Sequence, residues 1–308
     1  MNHSSFPRIR GLVAATHTPF DADGSLNLAV VEQQAAHLVG NGVGAVFPGG
    51  TTGESSSLTL DERRSLAQRW CEVARGTSLR VIIHVGSNCL DDSRTLAAHA
   101  EKAGADGIAA LSPSYFKPRN VEALVECCAR IASAAPATPF YFYDIPSMTG
   151  VNLSMREFLA QARERIPNLA GLKFTNADLM SFQQCLHADG GKWDVLWGCD
   201  EYLLAALALG GSGAVGSTYN FAAPIYLRLI AAFERGDLAT AREEQWRSVQ
   251  LVQVLAGYGY MGVAKAVMEM LGVPVGPARL PHLNPKPPEV EKLRAELDAL
   301  GFFGWIGK

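Results

Sequence analysis

Eight short apolar runs, set between amphipathic segments, constrain this chain more than any other feature. The runs are Gly11–Thr16, Ala45–Pro48, Val81–Val85, Gly107–Leu111, Pro139–Tyr143, Ala170–Phe174, Val195–Gly198 and Ala214–Ser217. Most are apolar throughout rather than alternating. That is the pattern of strands buried on both faces, which belong to parallel sheets covered by helices. The intervening segments carry helical spacing. Leu26–Val39 aligns Leu28, Val31, Ala35, Leu38 and Val39, and Asp61–Ala74, Asp92–Ala103, Val121–Ala134 and Ser154–Arg165 read the same way. Eight such units within residues 1–224 predict an α/β fold, a closed (β/α)8 barrel of the TIM type. A doubly wound open sheet is the alternative. No Gly-x-Gly-x-x-Gly follows the first run, which weakens its dinucleotide-binding form.

The alternation stops near Pro224. Helical segments then follow one another over Ile225–Arg235, Leu238–Leu255 and Gly262–Leu271. A proline-rich connector, Pro274 to Pro288, leads to a last helix at Glu289–Leu300. The expected organisation is a barrel domain, residues 1–224, followed by a C-terminal helical extension, residues 225–308.

Composition removes several classes of function. With 308 residues, 48% of them hydrophobic, the chain can bury a large core without disulfide staples. A formal charge of -3 offers no basic surface to nucleic acid. No apolar run reaches the ~18 residues of a membrane span. Met1–Arg10 has no signal-peptide core, so a cytoplasmic protein is expected, with its six cysteines as free thiols. The seven histidines show no ligand spacing, and no metal site is expected.

Barrel enzymes carry their chemistry at the C-terminal ends of the strands. Lys173 lies inside the sixth run, Leu169-Ala170-Gly171-Leu172-Lys173-Phe174. Burial penalises an ammonium and frees its lone pair, and a free amine can attack a ketone to form a Schiff base. The plainer account is a lysine reaching out to solvent. Tyr143 closes the fifth run, and neighbouring parallel strands lie about 4.8 Å apart. A phenol and an amine at matching heights can therefore share one substrate. After the second run comes Gly49-Gly50-Thr51-Thr52-Gly53-Glu54, whose backbone N–H groups can hold a carboxylate or phosphate. An ordinary glycine turn explains it equally well. Asp200 and Glu201 precede the helical segment Tyr202–Leu209, where acidic residues also suit the helix dipole. Gly216-Ser217-Thr218-Tyr219-Asn220 ends the eighth run with hydroxyls suited to a polyhydroxylated ligand.

These stretches resemble the pyruvate-dependent class I aldolases, the family containing dihydrodipicolinate synthase and N-acetylneuraminate lyase. The resemblance runs through Gly11–Thr16 with Thr18-Pro19-Phe20, Gly50–Glu54, Tyr143-x-Ile145-Pro146 and Gly171-Leu172-Lys173. Gly198-Cys199-Asp200-Glu201, Gly216–Asn220, Val81–Gly86 and Phe116-Lys117-Pro118 are similar to the lyase branch. The resemblance implies a Schiff base on Lys173, a proton shuttle at Tyr143, and Thr51 and Thr52 holding a pyruvoyl carboxylate. Thr51 would link Tyr143 to Tyr115 of a neighbouring subunit in a homotetramer. Thr175, Gly198, Asp200, Glu201 and Ser217 would bind the glycerol and sugar hydroxyls. The substrates implied are sialic acid, pyruvate and N-acetylmannosamine, with no cofactor beyond the covalent imine. Met148 stands where the synthase carries a substrate-gripping arginine, and an apolar side chain cannot replace that fork. Asp144 departs from the lyase pattern and adds a carboxylate beside Tyr143. Another 2-keto-acid aldolase or dehydratase of the family, a phosphate-binding barrel enzyme and a non-catalytic sugar-binding protein are the alternatives.

Overall fold

The computed structural model describes residues 6–308; residues 1–5, the start of the segment read as lacking a signal core, lie outside the described residues. The eight runs form parallel strands β1 (Gly11–Ala14), β2 (Ala45–Val46), β3 (Arg80–His84), β4 (Gly107–Leu111), β5 (Phe140–Asp144), β6 (Leu169–Phe174), β7 (Asp194–Trp197) and β8 (Gly213–Gly216). They pair in chain order and close, with Gly11 opposite Gly213 at the β1–β8 seam. Closure excludes the open sheet. The helices are α1 (Val30–Gly40), α2 (Leu60–Ala74), α3 (Leu90–Ala103), α4 (Val121–Ala132), the single turn α5 (Pro146–Thr149), α6 (Met155–Arg165), α7 (Leu179–His187), α8 (Leu203–Ala208) and α9 (Tyr219–Glu234). The extension adds α10 (Leu238–Gly257), α11 (Met261–Met270), α12 (Pro287–Leu300) and α13 (Phe302–Trp305). No single described helix is long and apolar enough to cross a membrane.

Strand alternation splits the core in two. Val13, Phe47, Ile82, Ala109, Tyr141, Tyr143, Leu196 and Val215 fill the barrel interior. Their neighbours Leu12, Val46, Ile83, Phe142, Phe174 and Trp197 face outward and pack under the helices. Trp197 and Phe174 stack at 6.2 Å, and Phe182 of α7 closes edge-on over Trp197 at 4.8 Å. Fully burying one such side chain contributes about 1.5–3 kcal/mol, so both layers hold the strand register that positions the site.

Two expected helix starts differ. α1 begins at Val30 rather than Leu26, because Leu26 pairs with Phe20 in an antiparallel bridge across the Asp21–Ser25 turn. α9 begins at Tyr219 rather than Ile225 and runs through Pro224. Proline lacks an N–H and crowds the preceding turn, and the helix absorbs it with a break at Ala222 (φ -129°, ψ 17°). The boundary expected at residue 224 therefore falls inside a helix shared by barrel and extension.

The extension is locked to the glycine-rich turn by a buried ion pair. Lys265 Nζ of α11 lies 2.9 Å from Glu54 Oε1, and both side chains are almost wholly out of solvent. Arg279 N–H donates to the other Glu54 oxygen at 2.8 Å, while its guanidinium grips Glu62. Burial lowers the Lys265 pKa to about 8 against the opposing pull of Glu54. Removing one partner of such a pair leaves a buried, uncompensated charge. Lys265→Met is expected to cost about 3–5 kcal/mol in urea denaturation. The double variant Lys265→Met/Glu54→Gln should recover part of that loss, and an additive double variant would show that the two charges are not coupled.

Candidate active site

Lys173 points into the barrel near the top of β6 and is 4% exposed. Its Nζ sits 3.9 Å from the Tyr143 ring centroid and 4.1 Å from that of Phe47. Aromatic faces favour the ammonium by about 0.5–2 kcal/mol. Desolvation, with Asp200 opposing, brings the amine down to about 7. A substantial share of Lys173 is then neutral and nucleophilic at neutral pH.

Tyr143 is the strand-for-strand neighbour of Lys173 across the β5–β6 ladder. Its phenol lies 3.1 Å from Thr51 Oγ1. Burial pushes the phenol up to about 12, with the Thr51 hydrogen bond opposing. It therefore stays protonated near neutrality. Such a group works as a relay, giving its proton to one partner while taking another, rather than as a standing base.

Thr51 and Thr52 sit on a turn fixed from several sides. Gly49 adopts φ +68°, a conformation that glycine takes without strain. Thr18 donates to the Gly53 carbonyl at 2.6 Å, and His84 Nδ1 lies 2.8 Å from the Gly49 carbonyl. Among the described residues, the N–H groups of Thr51 and Thr52 have no protein acceptor. Two free N–H groups and two hydroxyls beside an amine suit a carboxylate.

A cavity of about 280 Å³ opens above Lys173, lined by Thr51, Thr52, Tyr143, Thr175, Gly198, Asp200, Glu201 and Ser217 among others. Asp200 does more than oppose a helix dipole. Its buried carboxylate accepts from Thr218 N–H at 2.9 Å and Thr218 Oγ1 at 2.6 Å, yet burial still raises it to about 6. A Cβ at residue 216 would collide with this carboxylate, so the position requires glycine. Thr175 Oγ1 is buried in the cavity wall close to the Tyr143 phenol, whose upward shift it opposes along with Thr51. Among the described residues, no three His, Cys, Asp or Glu side chains gather to hold a metal.

The profile of the dihydrodipicolinate synthetase family matches residues 8–300. The chain belongs to the dihydrodipicolinate synthetase family. It is 40% identical to the N-acetylneuraminate lyase of Rattus norvegicus over 309 residues, covering 98% of this chain and 97% of that protein. Its structure is similar to that of the Proteus mirabilis N-acetylneuraminate lyase, with a TM-score of 0.93 at 39% identity, covering 96% of this chain and 100% of that one. The dihydrodipicolinate synthase of Cyanidioschyzon merolae is also similar, with a TM-score of 0.88 at 33% identity and coverage of 95% and 98%. Both branches of the family thus share this barrel.

Among the family residues carried onto this chain, Tyr115 alone stays out of its own cavity. It lies in the loop after β4, 79% exposed, with its ring edge-on to the equally bare Phe116. Asp144 does not add a carboxylate to the mouth. It alternates with Tyr143 and so faces the helix layer, where burial raises it to about 7 against an opposing hydrogen bond from Asn176. The sequence reading missed three residues from the extension, Val252, Tyr260 and Met261, which roof the cavity. Tyr260 adopts φ +62° and hydrogen-bonds Ser217. Its signal was faint, a tyrosine after Gly259 where one helix ends and the next begins.

Proposed function

We propose that this chain is an N-acetylneuraminate lyase, cleaving N-acetylneuraminate to N-acetylmannosamine and pyruvate by Schiff-base chemistry. The observation that carries the reading is Lys173, buried and paired in register with Tyr143 beneath a cavity whose wall carries Thr51, Thr52, Asp200 and Ser217. Relatives bearing the lyase name at about 40% identity over nearly the whole chain support it.

The neutral Lys173 amine adds to the C2 ketone of the open-chain sugar, and water leaves. The substrate carboxylate rests on the Thr51–Thr52 turn. The protonated imine is an electron sink. As Tyr143 relays the C4 hydroxyl proton away, the C3–C4 bond breaks and its electrons pass into an enamine. N-acetylmannosamine departs as the aldehyde. The Tyr143 relay returns that proton to C3 of the enamine, and water hydrolyses the resulting imine to pyruvate and free amine. Every electron pair is accounted for without a metal or organic cofactor. Thr175, Gly198, Asp200, Glu201 and Ser217 supply the polar wall for the sugar hydroxyls. Met148, exposed on α5, brings no cation to grip a second carboxylate, which favours the lyase over the synthase.

In this reading the hydroxyl chain from Tyr143 through Thr51 is completed by the partner's Tyr115 in a homotetramer. The exposure of Tyr115 and Phe116 supports it, as does a hollow of about 280 Å³ beside Thr51 lined by Met148 and Pro281. Six free cysteines support a reducing, cytoplasmic setting.

Borohydride trapping with pyruvate, read by peptide mass spectrometry alongside N-acetylneuraminate cleavage, tests the proposal. A pyruvate adduct on Lys173 with cleavage is expected. An adduct without cleavage would redirect the reading to another 2-keto acid of the family. No adduct on folded protein would favour a phosphate-binding or non-catalytic barrel.

A further inference from the structure

A buried imidazole lies under the site, and the mechanism above makes no use of it. His84 ends β3 and points into the barrel between Phe47 and Tyr143, with ring centroids at 6.0 and 5.9 Å. It meets the Tyr143 ring at a right angle, the edge-to-face arrangement that aromatic groups favour. Its Nδ1 stands 2.8 Å from the Gly49 carbonyl. A carbonyl has no proton to give, so this shorter contact places the hydrogen on Nδ1, donating to Gly49, and Arg63 Nη2, 3.3 Å from the same nitrogen, lies beside that N–H rather than donating to it. The Arg63 guanidinium lies alongside, donating to the carbonyls of His84 and Gly86, each at 2.8 Å. Burial and the Arg63 charge both hold His84 well below the ordinary histidine range. An uncharged ring with its proton on Nδ1 leaves a lone pair on Nε2, which is buried without a partner among the described residues.

We infer that His84 is a positioning residue of the carboxylate site. Through the Gly49 carbonyl it holds the turn that presents Thr51 and Thr52, and through its right-angled ring contact it holds the Tyr143 ring beside Lys173. One flat side chain with one in-plane donor can do both. A charged group could not, because it would set a second cation against Arg63 and close to the Lys173 amine. The inference rests on the keto-acid reading of the Thr51–Thr52 turn.

Two variants of the full chain separate the two contacts. His84→Phe keeps a ring and loses the donor; His84→Asn keeps an N–H close to the Nδ1 position and loses the ring. The pyruvate concentration giving half-maximal borohydride trapping reports the turn, and turnover at saturating substrate reports Tyr143. His84→Phe should raise the half-trapping concentration about tenfold (about 1.4 kcal/mol), the scale of one lost buried hydrogen bond. His84→Asn should stay within about threefold in that measurement and lose turnover instead. Equal responses of the two folded variants, or no response in either, would overturn the inference while the wild-type adduct still stood. Absence of a wild-type adduct would overturn the keto-acid reading and this inference with it. Nitrogen-15 NMR of the unsubstituted protein is a check that needs no variant to fold. A neutral His84 protonated at Nδ1 is expected, and a proton on Nε2 would overturn the assignment.

Discussion

Lys173→Ala is expected to abolish cleavage and pyruvate trapping while the barrel remains folded. Among the described residues lining the cavity Lys173 is the only amine, so the loss should reach the background of the assay. Lys173→Met, closer in volume, isolates the electrostatic effect on stability. The wild-type amine drops from 10.5 to about 7 on folding. Between those values the unfolded chain binds more protons than the native one, so stability rises with pH across that window. Below about pH 7 the native state carries the whole desolvation cost, a few kcal/mol; above about pH 10.5 it carries none. Lys173→Met should therefore be the more stable protein at pH 6, with its advantage shrinking through pH 10. Denaturant midpoints over that range would measure it. A constant difference would mean that Lys173 titrates normally, and near-normal turnover by folded Lys173→Ala would remove the central assignment.

Tyr143→Phe is expected to slow cleavage by about 10²–10⁴-fold, the range for losing a positioned proton-transfer group. Pyruvate trapping should survive at a reduced rate, because the amine and the carboxylate turn both remain. The ring contacts with Phe47, His84 and Lys173 are kept, so stability should change little. The readout is therefore a separation of trapping from turnover. Parallel loss of both would mean that the phenol is needed to place the ketone rather than to move the proton. Unchanged cleavage would remove the relay assignment.

The partition between sequence and structure is plain at individual residues. Alternation along β5 and β6 is a local property, so the placement of Tyr143 and Lys173 on the inner face follows from strand register once eight buried parallel strands are recognised. The glycine-rich turn was legible because Gly49 and its neighbours announce an unusual backbone. Asp144 was misplaced because its neighbour Tyr143 drew it toward the mouth, although the same alternation turns it outward. The helix starts at Val30 and Tyr219 were missed because a distant bridge partner and a tolerated proline override local pattern.

By itself the sequence determined the barrel, the order of its strands and the amine at the end of β6, since periodicity and burial are written into neighbouring residues. Only the tertiary structure decided what surrounds that amine. Asp200 is committed to Thr218, His84 is turned onto Gly49, and Tyr260 comes in from 43 positions away to close over Ser217. Desolvation and hydrogen bonding depend on which groups meet in space, and chain closure brings together residues whose sequence separation carries no sign of the contact.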